Sequence, residues 1–233
     1  MVTNKKLGLN KKYLSVVMCD LIKSREAANA TELSEKFNKV VAKINFEKKK
    51  EVVSPLTITL GDEFQGITKS LKTSFLIGNA VKLNLLLKGI KSRMVIGQVY
   101  LDTKINTKEA WNMMGTGLPE ARSLLNNKSD LNEYKFSMFS KTSSDRLIAK
   151  LLNSIGLSLS STEAQWTEKQ LLYISELTFD SEITVKDLAK KMKVSVSSIY
   201  AVLEAGDYNL YKQQIAIICE TLNYLEGNNE FTL

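Results

Sequence analysis

Two short acidic motifs stand out in this 233-residue chain. Asp20 closes the apolar run YLSVVMC, and Asp62-Glu63 sit in ITLGDEFQGI. Carboxylates brought within a few ångströms of one another repel unless a hard cation lies between them. Mg²⁺ (or Mn²⁺), held by one or two carboxylates with waters and phosphate oxygens completing the shell, is the usual answer. Asp20, Asp62 and Glu63 are the expected metal ligands. The residues after Asp20, LIKSR, add what a phosphate needs: backbone N–H groups entering a helix, the Ser24 hydroxyl and the cations Lys23 and Arg25. Gly61, in the tight turn before Asp62, joins this ligand-binding set. Read singly, Asp20 could cap a turn and Gly61-Asp62 could be no more than a hairpin turn.

The elements that must position these residues follow from periodicity. Residues 13–19 read as a buried strand and 31–46 as a helix with Leu33, Phe37, Val40, Val41 and Ile44 on one face. Residues 52–60 and 64–67 form a hairpin around Gly61-Asp62, with Pro55 near the start of its first strand, where a missing donor is tolerated. A helix over 69–88, a strand over 93–101, a helix from about Pro119 to Leu125, a strand over 134–139 and a helix over 144–155 complete the order β-α-β-β-α-β-α-β-α. A hairpin inside a crossover layout predicts an α+β, ferredoxin-like (split βαβ) palm. There the first strand neighbours the hairpin, so Asp20 and Asp62 converge at one edge. The serine-rich stretch 158–162 is the expected linker between units at 1–157 and 163–233.

Composition narrows the chemistry. The chain has no histidine, so a Ser-His-Asp triad, a Cys-His pair and an HExxH zinc helix are excluded. Its two cysteines, Cys19 and Cys219, are expected as free buried thiols in a reducing cytoplasm. The N-terminal MVTNKKLGLNKKY lacks the apolar core of a signal peptide, and no apolar run is long enough for a membrane span, so a cytoplasmic location is expected. Residues 1–160 hold 26 Lys and Arg against 14 Asp and Glu, a net +12, while residues 161–233 hold 6 against 11, a net −5. A basic first part suits a polyanion or nucleotide, and the division suggests two units with different partners.

The motifs CDLIKSR, ITLGDEFQGI, RMVIGQV and GTGLPEARSL, in that order, resemble the SatD family of bacterial proteins over nearly the whole chain. Over about residues 13–140 the same order is similar to class III nucleotidyl cyclases and, more distantly, to GGDEF cyclases. The resemblance implies a nucleotidyl-cyclase-like palm in which Asp20 and Asp62 hold two metal ions and Arg122 stabilises the transferring phosphoryl group. It also implies a homodimer, with Arg122 reaching into the partner's site. Leu118 stands where those cyclases usually carry Asn, and Ile58 where they usually carry a base-selecting Lys. The substrate is therefore left as a nucleotide or another phosphorylated ligand, cyclised or merely bound.

The last 70 residues read as a small all-α helix-turn-helix domain, with helices near 167–178, 184–192, 195–204 and 208–225. VKDLAKKM places Leu188, Ala189 and Met192 inward, and a turn at Lys193–Val194 leads into a helix starting at Ser195. Ser195, Ser197, Ser198 and Tyr200 are the candidate groove-facing residues for DNA, and Lys186, Lys190, Lys191 and Lys193 the candidate phosphate contacts. Residues 195–204 hold no Lys or Arg, so a helical regulatory or dimerisation module is an equal alternative. The rival to a ligand-binding palm is a non-catalytic DNA-binding regulator whose palm is a scaffold.

Overall fold

The computed structural model describes residues 13–139, 142–180 and 182–227. Residues 1–12, on which the absence of a leader was argued, lie outside the described residues. Strand β1 (Leu14–Leu21) is buried at every position from Ser15 to Leu21. A strand buried on both sides must be central and covered on two faces, and the sheet meets that demand. Its order is β2 (Val52–Ile58), β3 (Glu63–Thr68), β1, β4 (Ser92–Leu101), β5 (Gly115–Thr116), with β6 (Tyr134–Ser137) pairing parallel to β4. The β1–β3, β1–β4 and β2–β3 pairs are antiparallel. The first four strands thus have the split βαβ order expected of a ferredoxin-like palm.

Side chains alternate across a strand, so β1 splits its residues between two cores. Val17, Cys19 and Leu21 join the large core beneath α1 (Ala30–Glu47) and α2 (Leu71–Leu86), whereas Val16 and Met18 join a smaller one beneath α3 (Leu118–Asn126). Asp20 shares the α3 side with Val16 and Met18. Pro55 sits in β2, the edge strand, next to register shifts at Ser54 and Thr57. The predicted strand 52–60 stops at Ile58 because residues 59–62 form the turn. The two-residue β5 is too short to show a period.

Helix α4 runs from Ser143 to Gln165 and includes residues 158–162, the expected linker. Ser160 satisfies its hydroxyl within the helix instead of ending it, and Ser158 Oγ accepts from Gln214 Nε2 of the last helix at 2.8 Å. Ser160 Oγ donates to the Gly156 carbonyl at 2.9 Å and accepts from the Glu133 amide at 3.0 Å, tying α4 to the start of β6. Helices α5 (Glu168–Phe179), α6 (Val185–Met192), α7 (Val196–Ala205) and α8 (Tyr208–Leu225) follow, within two residues of their predicted limits. Helices α5 and α8 pack on the outer side of α2, α6 and α7 pack against them, and the large core is continuous from Val17 to Leu222. Helix α2 is therefore buried on most of its circumference, with Leu76 and the cap residue Leu87 partly exposed.

A buried polar cluster joins these layers. Lys82 of α2 is fully buried, donates to the Ser92 carbonyl at 3.0 Å and pairs with Glu133 and, at 3.6 Å, with Glu163 Oε2. Glu163 Oε1 accepts from the hydroxyls of Tyr134 (2.7 Å) and Tyr211 (3.0 Å), and the Asn79 amide donates to both hydroxyls. Burial holds the Glu163 carboxyl above its usual range, against the opposing pull of Lys82 and the two tyrosines. Removing one partner of a buried ion pair leaves an uncompensated charge, which costs about 3–5 kcal/mol. Lys82→Met should lower the unfolding free energy by about that amount in urea titration, and adding Glu163→Gln should recover part of it. A Lys82→Met protein as stable as wild type would show that the cluster does not hold the layers together.

Candidate ligand site at the end of the central strand

The strand register assembles the site. Asp20 lies opposite Glu63 on β3 and opposite Arg93 on β4, so Glu63, Asp20 and Arg93 form one row across three strands on the α3 face. Directly opposed residues in an antiparallel pair place their Cβ atoms about 5 Å apart on the same face. All three are buried, with 8%, 2% and 8% exposure respectively.

Asp62 belongs to the adjoining turn. Gly61 takes φ +83°, a left-handed conformation that suits glycine, and carries the chain from β2 to Asp62. The Leu21 amide donates to the Asp62 carbonyl at 3.0 Å, which pins the turn to the end of β1. Ser24 Oγ donates to Asp62 Oδ2 at 2.5 Å. Ser24, Arg25, Gly61 and Asp62 line a cleft of about 420 Å³ with Leu21, Leu33 and Leu60. Of the sequence-derived set, Ser24, Arg25, Gly61 and Asp62 meet at this cleft, whereas Asp20 and Glu63 lie on the α3 side of the sheet and are not part of its lining. Lys23 turns to pair with Glu26 at 3.2 Å. The backbone amides expected to meet a phosphate are partly spent, because Glu26 N and Ala27 N close the short 3₁₀ turn Ser24–Glu26.

Glu63 departs from its expected role as a metal ligand. Its carboxylate is ion-paired with Arg122 of α3, and that pairing engages both groups within one chain. Among the described residues no three His, Cys, Asp or Glu side chains stand close enough to hold a metal ion. The residues whose chemistry fits a hard cation are therefore Asp20 and Asp62, with solvent or ligand oxygens to complete the shell. Asp20 Oδ2 is the observation that favours such a fit: it is buried and accepts no hydrogen bond. Its neighbours are Arg93 Nε at 3.5 Å and Lys128 Nζ at 3.9 Å, both beyond good hydrogen-bonding geometry. Burial raises the Asp20 pKa; Lys128 and Arg93 oppose that shift, and Asp62 and Glu63 reinforce it.

A second cleft, of about 350 Å³, opens on the α3 face. Met18 and Gln65, one step along the strands from Asp20 and Glu63, line it with Leu118, Arg122 and Trp111-Asn112-Met113. Trp111 and Met113 line this cleft, and Trp111 is 42% exposed. Arg93 begins the motif RMVIGQV, yet only the β1–β4 register sets it against Asp20, and Lys128 comes to Asp20 from the segment after α3.

The candidate DNA-contacting residues lie on α6 and α7. Leu188 and Ala189 are buried and Met192 packs partly against the core, as expected. Lys193 takes a left-handed conformation (φ 55°) between the helices. Ser195 caps α7 by accepting from the Ser198 amide at 3.1 Å, and its hydroxyl also bonds those of Ser197 and Ser198. Lys186, Lys190, Lys193 and Tyr200 are exposed, whereas Lys191 is paired with Glu176. Cys19 and Cys219 are free and buried, as expected. No helix among the described residues is long and apolar enough to cross a membrane.

The profile of the SatD family matches residues 13–220. The chain belongs to the SatD family. No curated protein matches it in sequence. Among solved structures it is similar to the adenylyl cyclase CyaB from P. aeruginosa, at 17% identity and a TM-score of 0.33 over 49% of this chain and 69% of that one. It is also similar to a bacterial light-regulated adenylyl cyclase, at 10% identity and a TM-score of 0.37, spanning 53% of this chain and 42% of that one. The fold of this SatD-family chain rests on its own strand order.

The raised pKa of Asp20 has a consequence for stability. A carboxyl whose folded pKa lies above its unfolded value binds protons more tightly when folded. Its contribution is intact below the unfolded value, about 3.9, and is lost as pH rises through the folded one. Asp20→Asn should therefore raise the melting temperature at pH 7, and the gain should vanish near pH 3. A variant less stable than wild type at pH 7 would contradict this electrostatic picture.

Proposed function

We propose that this SatD-family protein binds a divalent cation together with a nucleotide or another phosphorylated small molecule at the edge formed by the end of β1 and the β2–β3 turn. The observation that carries the proposal is the buried, unbonded Asp20 Oδ2 beside Asp62. Natural structures seldom leave a buried polar atom unsatisfied without a ligand, ion or water to meet it. Mg²⁺ or Mn²⁺ would take Asp20 and Asp62, and the Ser24–Arg25 cleft would receive the ligand's polar groups. The cation would neutralise phosphate charge and orient the ligand. Ile58 and Leu118 supply no polar group for a base, so the proposal is confined to metal–phosphate binding. Self-association of two palms through the α3 face, where Trp111 and Met114 are exposed, belongs to the same proposal. For a DNA partner the support is thinner. Tyr200 and three lysines are exposed on α6 and α7, but α7 carries no cation and Lys191 is engaged with Glu176.

A thermal-shift panel of nucleoside triphosphates with Mg²⁺ and Mn²⁺ tests the proposal, because a ligand selective for the folded state raises the melting temperature. At least one metal–nucleotide pair should shift wild type more than metal or nucleotide alone. Asp62→Asn should abolish that increment and keep the fold, since a turn tolerates Asn. Equal shifts in wild type and Asp62→Asn would remove this edge as the site.

A further inference from the structure

We propose that the adjoining outer faces of α4 and α8 are a homodimer interface, on which a second copy of this chain closes a four-helix bundle. On α4, Leu147, Leu151, Ser154, Ser158 and Ser161 recur at spacings of four, three, four and three residues. On α8, Leu210, Gln214, Ile217, Thr221 and Tyr224 recur at the same spacings. This is the a/d spacing at which helices of a bundle meet. The chain does not use it for its own core. None of the ten positions is buried, and Leu147, Leu151, Leu210, Ile217 and Tyr224 are between 46% and 59% exposed. Other residues of the same helices face inward, among them Leu152, Leu159, Ile218 and Leu222.

Two hydrogen bonds place the stripes side by side. Gln214 Nε2 donates to Ser158 Oγ at 2.8 Å, and Tyr211 Oη donates to Glu163 Oε1 at 3.0 Å. The later α4 residue meets the earlier α8 residue, so the helices run antiparallel with Ser158 and Gln214 at the seam between the stripes. Neither stripe carries a charge, and depletion of charge is the mark of an interface centre. The charges stand on the two outer borders and are of opposite sign. On α4, Ser154 lies between Ser158 and Lys150, so Lys150 borders the face away from α8. On α8, Ile217 lies between Gln214 and Glu220, so Glu220 borders it away from α4. Both are exposed. A two-fold axis parallel to the helices sets α4 of one copy on α8 of the other, and every contact then occurs twice. Antiparallel pairing puts Lys150 and Glu220 within about one helical turn of the same height, so each Lys150 meets the partner's Glu220. An apolar face rimmed by its own opposite charges fits a second copy of itself better than a partner of one charge. The face belongs to the helical layer on the α1–α2 side of the sheet, apart from α3, so it needs neither the ligand site nor contact between palms.

Sedimentation equilibrium of the full-length protein tests the proposal. Wild type should self-associate, and Leu151→Glu combined with Ile217→Glu should halve the sedimenting mass while leaving the far-ultraviolet circular dichroism unchanged. Lys150→Glu and Glu220→Lys should each weaken the dimer about three- to tenfold, because two contacts turn from attraction to repulsion. Mixing these two variants, or joining both substitutions in one chain, should recover wild-type affinity, since opposite charges then face each other again. The charge variants also carry the test if the Leu151→Glu/Ile217→Glu protein does not fold. A wild type that stays monomeric leaves the face to a different partner and overturns the proposal. A Leu151→Glu/Ile217→Glu protein of wild-type mass overturns it by putting the association elsewhere. Charge variants that do not recover affinity on mixing overturn the pairing of α4 with the partner's α8.

Discussion

The site depends on one constraint: a charged residue at the end of a strand that is buried on both faces. Val16, Val17, Met18 and Cys19 commit β1 to the middle of the sheet. Once β1 is there, backbone register alone places Asp20 between Glu63 and Arg93. The carboxylate cannot escape to solvent, and its neighbours on β3 and β4 cannot turn away. Burial works against its ionised form, the two cations work for it, and burial prevails. The other features of the edge answer that imbalance. Gly61 brings the turn and its Asp62 against β1, and Arg122 compensates Glu63 so that the row is not overloaded with negative charge.

The helical half is joined to the palm through α2. This helix packs against the sheet on one side and α5 and α8 on the other, with Lys82, Asn79, Tyr134, Glu163 and Tyr211 forming a buried polar cluster between them. Lys82 also bonds the Ser92 carbonyl, one residue before Arg93. The cluster that holds the helices is thus in covalent succession with the row that holds Asp20, which fixes the start of β4 from both sides.

Much of this was legible in the sequence, for reasons specific to each element. Apolar periodicity placed α1, α3 and the strands β1 to β4 near their observed limits, and the hairpin within the crossover order led to the palm. The approach of Asp62 to the end of β1 followed from that topology. Three features were not legible. Ser158, Ser160 and Ser161 look like a linker by composition, but Ser160 bonds back to Gly156 and forward to β6, which only the packed structure reveals. Glu63 looks like a third metal ligand by adjacency to Asp62, yet in the packed structure its carboxylate is paired with Arg122 of α3. Arg93 begins the motif RMVIGQV, but its meeting with Asp20 is a product of register across 73 residues of chain, and Lys128, which belongs to no motif, reaches Asp20 from the segment after α3.

The most direct measurement is anomalous diffraction from crystals grown with Mn²⁺ and a nucleoside triphosphate. The account predicts a Mn²⁺ peak between the carboxylates of Asp20 and Asp62, with ligand oxygens toward Ser24 and Arg25. A Mn²⁺ peak coordinated elsewhere, or nucleotide bound away from the end of β1, would contradict it.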